Sequence, residues 1–207
     1  MTAHPYPARV AKRVIDIVGS GLALLVLAPV MVIVAVVVRV ALGSPVLFRQ
    51  TRPGLGGAPF EIVKFRTMSD AVGRDGAPLS DAERMRRLGR LLRRTSLDEL
   101  PQLVNVLRGD MSLVGPRPLL MEYLARYTPE QARRHDVRPG LTGLAQVNGR
   151  NAMSWNDRIG LDTVYADTWT LGLDLRIIAK TVVMVFRGTG VEAEAGVPMR
   201  KFGGSPD

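Results

Sequence analysis

Between Ile17 and Val38 the chain carries no charged residue over 22 positions. As one helix this run would extend about 33 Å at ~1.5 Å per residue. That is enough to cross the ~30 Å hydrocarbon layer of a bilayer. Two features argue against a plain crossing. Pro29 lies near the middle of the run, removes one helical hydrogen bond and crowds the carbonyl of Leu25, so a kink is expected. Basic residues also flank both ends: Arg9, Lys12 and Arg13 before, Arg39, Arg49 and Arg52 after. Positive charge marks the cytoplasmic side of a membrane segment, and here it marks both ends. A re-entrant helix-break-helix that enters one leaflet and returns satisfies both facts. A single spanning helix that tolerates its proline is the alternative. In the re-entrant form the backbone groups freed near Pro29 need partners at that depth, with Ser20, lipid headgroups or water as candidates. A secretory signal fits poorly, because the apolar region is too long and no small-residue cleavage site follows.

The remaining composition narrows the chemistry. The 207 residues suit one ordinary domain with an appendage. The absence of cysteine excludes a disulfide framework, a thiolate metal site and a thiol nucleophile. His4 and His135 are far apart in sequence, which argues against a histidine metal cluster. The net charge of +9 implies phosphate-bearing partners: nucleic acid, anionic lipid or a nucleotide substrate.

The stretch Arg94-Thr95-Ser96-Leu97-Asp98-Glu99-Leu100-Pro101-Gln102 sets two adjacent carboxylates beside a segment, Arg84 to Arg94, with six arginines. Carboxylates so bordered should stay ionised at neutral pH. They could act as a nucleophile or as magnesium ligands. The plainer reading is a helix capping box, Ser96 with Glu99, in which Asp98 favours the positive end of a helix.

Elsewhere the pattern gives an α+β reading, mostly helical, with a small β element. Val46-Leu47-Phe48 reads as a short strand and Arg49 to Gly54 as a basic turn; the glycines at 54, 56 and 57 match no phosphate-loop spacing. Phe60 to Arg66 alternates as a strand, placing Lys64 and Arg66 on one face, for a phosphate or for solvent. Asp70 to Ser80 reads as a loop. Asp81 to Arg94 reads as an amphipathic basic helix, interfacial or core-packing. Leu100 to Leu107 continues as helix and ends at Gly109-Asp110. Pro116-Arg117-Pro118 confines its arginine, and Arg138-Pro139-Gly140 and Gly149-Arg150-Asn151 repeat the device. Three fixed arginines near a carboxylate pair suggest an anionic substrate. Ser154 to Thr170 reads as helix and Leu173 to Arg187 as a second amphipathic, surface or core-closing helix. Residues 188–207, rich in Gly and Pro, read as a loose tail. The expected organisation is a basic segment with membrane helix at 1–42, a catalytic domain with interfacial helices at 43–187 and a tail at 188–207.

In order along residues 10–187, these pieces resemble the bacterial sugar transferases, the monotopic phosphoglycosyl transferases, in their minimal single-segment form. The pieces are Lys12-Arg13 with Asp16, the apolar segment broken at Pro29, Pro45 to Gln50, Lys64-Phe65-Arg66-Thr67-Met68, Thr95 to Gln102, Gly109 to Pro118, Arg138 to Gly143 and Gly149-Arg150-Asn151. One departure is Ala28-Pro29 where the family helix often breaks at Ser-Pro. The resemblance implies transfer of a sugar 1-phosphate from a UDP-sugar to polyprenyl (undecaprenyl) phosphate, with release of UMP, at the cytoplasmic face of a bacterial inner membrane. It implies Asp98 as nucleophile, Glu99 as magnesium ligand or proton handler, and Mg2+ held by both. Lys64, Arg93, Arg117 and Arg150 fall on diphosphate-binding positions, with Arg66, Arg138 and Asp162 as further substrate-binding candidates and Asp174 as another acidic one. Expected partners are the UDP-sugar, polyprenyl phosphate and membrane lipid, with no nucleic acid; the oligomeric state stays open, a homodimer included. The rival readings are a membrane-anchored nucleic-acid-binding protein and a scaffold that only binds lipid carriers.

Overall fold

The computed structural model describes residues 6–73, 76–77, 79–149, 153–187 and 202–204. Helix α1 (Tyr6–Leu42) is one uninterrupted helix with Pro29 inside it. The expected division into two helices is therefore absent from the secondary structure. A proline costs a helix one donor and strains one carbonyl, which need not end it. Ser20 is not the partner for the groups freed near Pro29. Its hydroxyl donates to the Asp16 carbonyl at 2.6 Å, a turn earlier, and is buried there. Among the described residues α1 is the one helix long and apolar enough to cross a membrane. Its middle is bare: Leu25, Val26, Val32 and Ile33 are each more than 60% exposed, an apolar surface that a water-soluble domain does not leave uncovered.

The first turns of α1 are bolted to the rest of the chain by charge. Lys12 donates to Asp174 at 2.6 Å, to the Val114 carbonyl at 3.1 Å and to the Tyr165 hydroxyl at 3.2 Å. Asp16 accepts from the Ser112 hydroxyl and the Leu113 amide, both at 2.9 Å. Arg13 donates to the Val106 and Leu107 carbonyls. Those carbonyls sit at the end of a helix, where the backbone lacks partners and carries partial negative charge.

After α1 come β1 (Leu47–Pro53) and β2 (Pro59–Phe65), an antiparallel pair in which Phe48 faces Lys64 and Arg52 faces Phe60. Residues 49–52, read from sequence as a turn, thus belong to the strand. The reversal falls at Gly54–Ala58, where Gly56 and Gly57 have positive φ. Pairing with β2 supplies the hydrogen bonds that outweigh the weak strand preference of Arg-Gln-Thr-Arg.

Next stand α2 (Asp81–Arg84) and α3 (Arg87–Arg94), two helices in place of the single one expected. Ser80 and Glu83 form a capping box that starts α2, and Met85 turns extended and ends it. Gly89 explains where α3 then lies: a Cβ there would sit 1.9 Å from the Thr67 carbonyl oxygen. Then follow α4 (Gln102–Arg108), closed by Gly109 in the left-handed region, and β3 (Ser112–Val114). Further on are α5 (Pro129–Ala132), β4 (Gly140–Thr142), α6 (Leu144–Val147), α7 (Trp155–Thr168) and α8 (Leu171–Arg187). β3 and β4 pair in parallel, Ser112 with Gly140 and Val114 with Thr142.

Four small cores hold these pieces. Val34 and Val38 of α1 pack with Phe65 and Leu92. Val114, Tyr165, Trp169 and Ile177 join β3 to α7 and α8. Ile62, Val106 and Met111 seat α4 on β2. The fourth gathers Leu119, Tyr123, Ile159 and Phe202. Within the stretch expected to be a loose tail, Phe202 is 1% exposed and docked in this core; residues 188–201 and 205–207 lie outside the described residues. The aromatic edges of Tyr123 and Trp155 face it.

Gly89 and Gly160 make a paired test. Gly89→Ala must displace α3 from the Thr67 carbonyl and should destabilise by about 1–3 kcal/mol. Gly160→Ala on α7 meets nothing within 4 Å and should stabilise by up to about 1 kcal/mol. Thermal unfolding in detergent reads both; equal midpoints for the two variants would contradict the packing.

Candidate active site

α3 ends at Arg94, and two residues later the chain reverses through Ser96 in the left-handed region, φ 56° and ψ 18°. It is the one non-glycine residue with positive φ among the described residues. Such a conformation costs roughly 1–3 kcal/mol and persists where surroundings enforce it. It starts a single 3-10 turn, Leu97–Glu99. With about three residues per turn, Leu97 and Leu100 share a side and pack against the Val34–Phe65–Leu92 core. Asp98 and Glu99 are thereby turned toward a cavity of about 1270 Å³. The capping box does not form: Ser96 makes no side-chain cap bond, the Glu99 amide donates to the Ser96 backbone carbonyl, and the Glu99 carboxylate is engaged by Lys64 and Arg117.

Glu99 accepts from Lys64 of β2 at 2.9 Å. Arg117 reaches it in a fork, one nitrogen on Oε1 and the other 3.4 Å from Oε2. The two prolines around Arg117 confine its backbone, as their spacing suggested. Burial opposes ionisation of Glu99, but the Arg117 and Lys64 charges and their hydrogen bonds outweigh it. Its carboxyl is held well below the usual range. Glu99 in turn raises the Arg117 pKa. Lys64 is lowered, by burial first and then by Arg117. Glu99 is thus a fixed negative charge.

Asp98 behaves in the opposite way. It is 7% exposed and accepts no hydrogen bond among the described residues. Burial and then the neighbouring Glu99 charge push its carboxyl up to about 6, against the pull of Lys64, Arg117 and Arg93. Two adjacent carboxyls thus have pKa values driven apart, the pattern that separates a structural charge from a reactive one. Arg93 donates through Nε to the Thr67 hydroxyl at 3.1 Å, and its guanidinium is lowered chiefly by burial.

The cavity brings together Lys64, Arg66, Arg93, Asp98, Glu99 and Arg117. Arg66 lines it, but its terminal nitrogens bond Asp70 and the Leu42 and Ser44 carbonyls, tying the end of α1 to the following loop. Asp162 lines it too, with its carboxylate paired to the buried Arg134 at 2.6 Å. Arg138 does not line it; this exposed residue donates to the Gly109 carbonyl at 2.9 Å. Arg150 lies outside the described residues. Asp174 belongs to the Lys12 anchor. The sequence reading missed Arg52, Gln146 and Arg158, which also line the cavity. Reading residues 49–52 as a strand would have placed Phe48, Gln50 and Arg52 on one face. Arg158, one helical turn before Asp162, was likewise open to detection by spacing.

The same cavity has an apolar lining as well, with Ile15, Ala23 and Leu27 from α1 and Ile178, Val182 and Val185 from α8. One continuous space therefore joins a cluster of cations to the exposed apolar helix.

The family model for bacterial sugar transferases matches residues 7–188. An uncharacterised sugar transferase, EpsL, of Bacillus subtilis is 49% identical over 198 residues, 96% of this chain and 98% of that protein. A UDP-glucose:undecaprenyl-phosphate glucose-1-phosphate transferase of Caulobacter vibrioides is 47% identical over 183 residues, 83% of this chain and 68% of its own. The exopolysaccharide production protein ExoY of Rhizobium meliloti is 36% identical over 197 residues, 87% of each chain. The match runs from the start of α1 to the end of α8 and so contains the dyad, the cations around it and the apolar helix: the chain belongs to the bacterial sugar transferase family.

Proposed function

We propose that this protein transfers a sugar 1-phosphate from a UDP-sugar to polyprenyl phosphate, undecaprenyl phosphate in bacteria, at the cytoplasmic face of the inner membrane. The observation that carries this is Asp98: a buried carboxylate without a hydrogen-bond partner among the described residues, under the charges of Lys64, Arg93 and Arg117, in a cavity lined by both cations and apolar side chains. Relatives whose names state this reaction support it. An Asp98 oxygen attacks the sugar-bearing phosphorus, the bond from that phosphorus to the UMP oxygen breaks, and UMP leaves with the electron pair. A phosphate oxygen of the polyprenyl carrier then attacks the same phosphorus and returns Asp98 to a carboxylate. Phosphoryl transfer of this kind is mostly positioning and charge neutralisation, which the fixed Lys64–Glu99–Arg117 set provides. The covalent stage lets one site serve a water-soluble donor and a lipid acceptor in turn.

Magnesium is the proposed cofactor. Among the described residues no group of three or more His, Asp or Glu could hold a metal. A dyad suits magnesium nonetheless, since this ion is commonly bound by one or two carboxylates together with substrate phosphates. Asp98 and Glu99 would hold it, Asp98 with oxygens that accept no hydrogen bond among the described residues, and when bound it would neutralise charge on the diphosphate.

The proposed topology is re-entrant, bent at Pro29. Its support is that both ends of α1 touch one catalytic domain: Arg13 caps α4, and Val38 packs on Phe65. A straight helix from Arg13 to Val38 would measure about 37 Å, more than the ~30 Å of hydrocarbon, and would part them across the bilayer. No observation in the site or among the relatives favours the nucleic-acid reading.

Purified protein with a panel of UDP-sugars, magnesium and polyprenyl phosphate should release UMP. Asp98→Asn should abolish this, and intact-mass measurement without acceptor should find a phosphosugar on the native protein. Normal turnover by Asp98→Asn would overturn the assignment. The acid limb of kcat/KM should fall below about pH 6, roughly tenfold per unit, as Asp98 takes up its proton. In Glu99→Gln, rates should fall while that limb moves to lower pH, because the charge that raises Asp98 is gone and Lys64 and Arg117 remain; a shift upward would refute the electrostatic account. Thiol labelling of Tyr6→Cys and Ser44→Cys should mark both from the cytoplasmic side, and opposite sides would exclude the re-entrant form.

A further inference from the structure

We propose that Arg52 is a further substrate-binding residue, which holds the donor phosphate that departs with the nucleoside. The proposal rests on the phosphoglycosyl transfer above and assigns its nucleotide end a place. Alternation along β1 puts Phe48, Gln50 and Arg52 on one face, and all three line the cavity. Phe48 faces Lys64, the residue bonded to Glu99. Arg52 stands four residues further along, about 13 Å at ~3.3 Å per residue.

The guanidinium of Arg52 is aimed. It donates to the Gln50 side-chain oxygen at 2.6 Å. Its Nε is buried and has no partner among the described residues. Among the described residues no carboxylate forms an ion pair with it, whereas Lys64, Arg66 and Arg117 each have one. Burial, and then the nearby Arg117 charge, lower its pKa to about 10. Holding two guanidiniums close together away from water is costly unless an anion answers both. Glu99 already engages Arg117, so the outstanding demand is on the Arg52 side. A phosphate oxygen pair fits the planar fork of an arginine. In a nucleoside diphosphate-sugar with its sugar-bearing phosphorus at Asp98, the second phosphate falls on the side away from the attacking carboxylate. Arg117 reaches the dyad, and Arg52 lines the same cavity near enough to Arg117 to feel its charge.

Two sources could bring a phosphate here, the donor diphosphate and the lipid acceptor. The surroundings favour the donor. The apolar lining that suits a polyprenyl chain comes from α1 and α8. The groups acting on Arg52 are Gln50, Arg117 and Tyr123, all polar.

The test compares wild type, Arg52→Gln and Arg52→Lys as full chains in detergent. It measures calorimetric binding of UDP, the inhibition constant of UMP, and KM for UDP-sugar and for polyprenyl phosphate separately. Arg52→Gln should weaken UDP and UMP and raise donor KM by about ten- to a hundredfold, the span of one charge-assisted contact. Acceptor KM should stay unchanged, and Arg52→Lys, which keeps charge but loses the fork, should fall between. Unchanged UDP binding and donor KM would overturn the proposal, as would a rise confined to acceptor KM. A thermal scan identifies a variant that fails to fold, in which case Arg52→Lys decides. If wild type turns over no donor, the transferase reading fails, while the UDP-binding arm still decides the role of Arg52.

Discussion

The site depends on the charge of Glu99. Lys64 reaches it from β2 and Arg117 from the proline-bounded stretch after β3, so one carboxylate joins three separate parts of the chain. A buried pair of this kind adds little net stability against an apolar substitute, but removing one member leaves an unanswered charge and typically costs about 3–5 kcal/mol. Its value is positional. It places two cations beside Asp98 without letting either bond that residue, and its own negative charge raises the Asp98 carboxyl. Glu99 therefore sets both the charged surroundings of its neighbour and the upward shift of its carboxyl.

The second constraint is the attachment of α1. Lys12, Arg13 and Asp16 are charged residues at the mouth of an apolar helix, and each is answered: Asp174 and Tyr165, the last carbonyls of α4, and the start of β3. These bonds couple the membrane element rigidly to the pieces that carry the dyad. Val34 and Val38 make the same coupling from the other end through apolar packing. The cavity they border is lined both by arginines and by apolar residues such as Val182 and Leu27.

Asp98, Glu99, Lys64 and Arg117 were legible as a group because each sits in a short run of unusual composition: adjacent carboxylates, an alternating strand, an arginine between prolines. α4, α7 and α8 were legible as helices, α8 from its amphipathic pattern. Residues that work through partners distant in sequence were not. Arg66 and Lys64 share a strand parity, yet one grips the end of α1 and the other the dyad. Asp162, a substrate-binding candidate by resemblance, is paired with the buried Arg134. Arg52 was hidden by a misplaced turn, since only β2 makes residues 49–52 a strand.

By itself the sequence determined that this chain has a long apolar segment with Pro29 inside it, a carboxylate dyad amid basic residues, and its longer helices. These follow from local composition and period, which need no knowledge of what lies across space. Only the tertiary structure decided that Ser96 turns left-handed rather than capping a helix, that Glu99 is held while Asp98 accepts no hydrogen bond among the described residues, and that Phe202 is docked in a core. Each of those outcomes is a competition between a local preference and a contact with a residue far along the chain, and the contact, made in a buried setting where an unanswered polar or apolar group is costly, prevails.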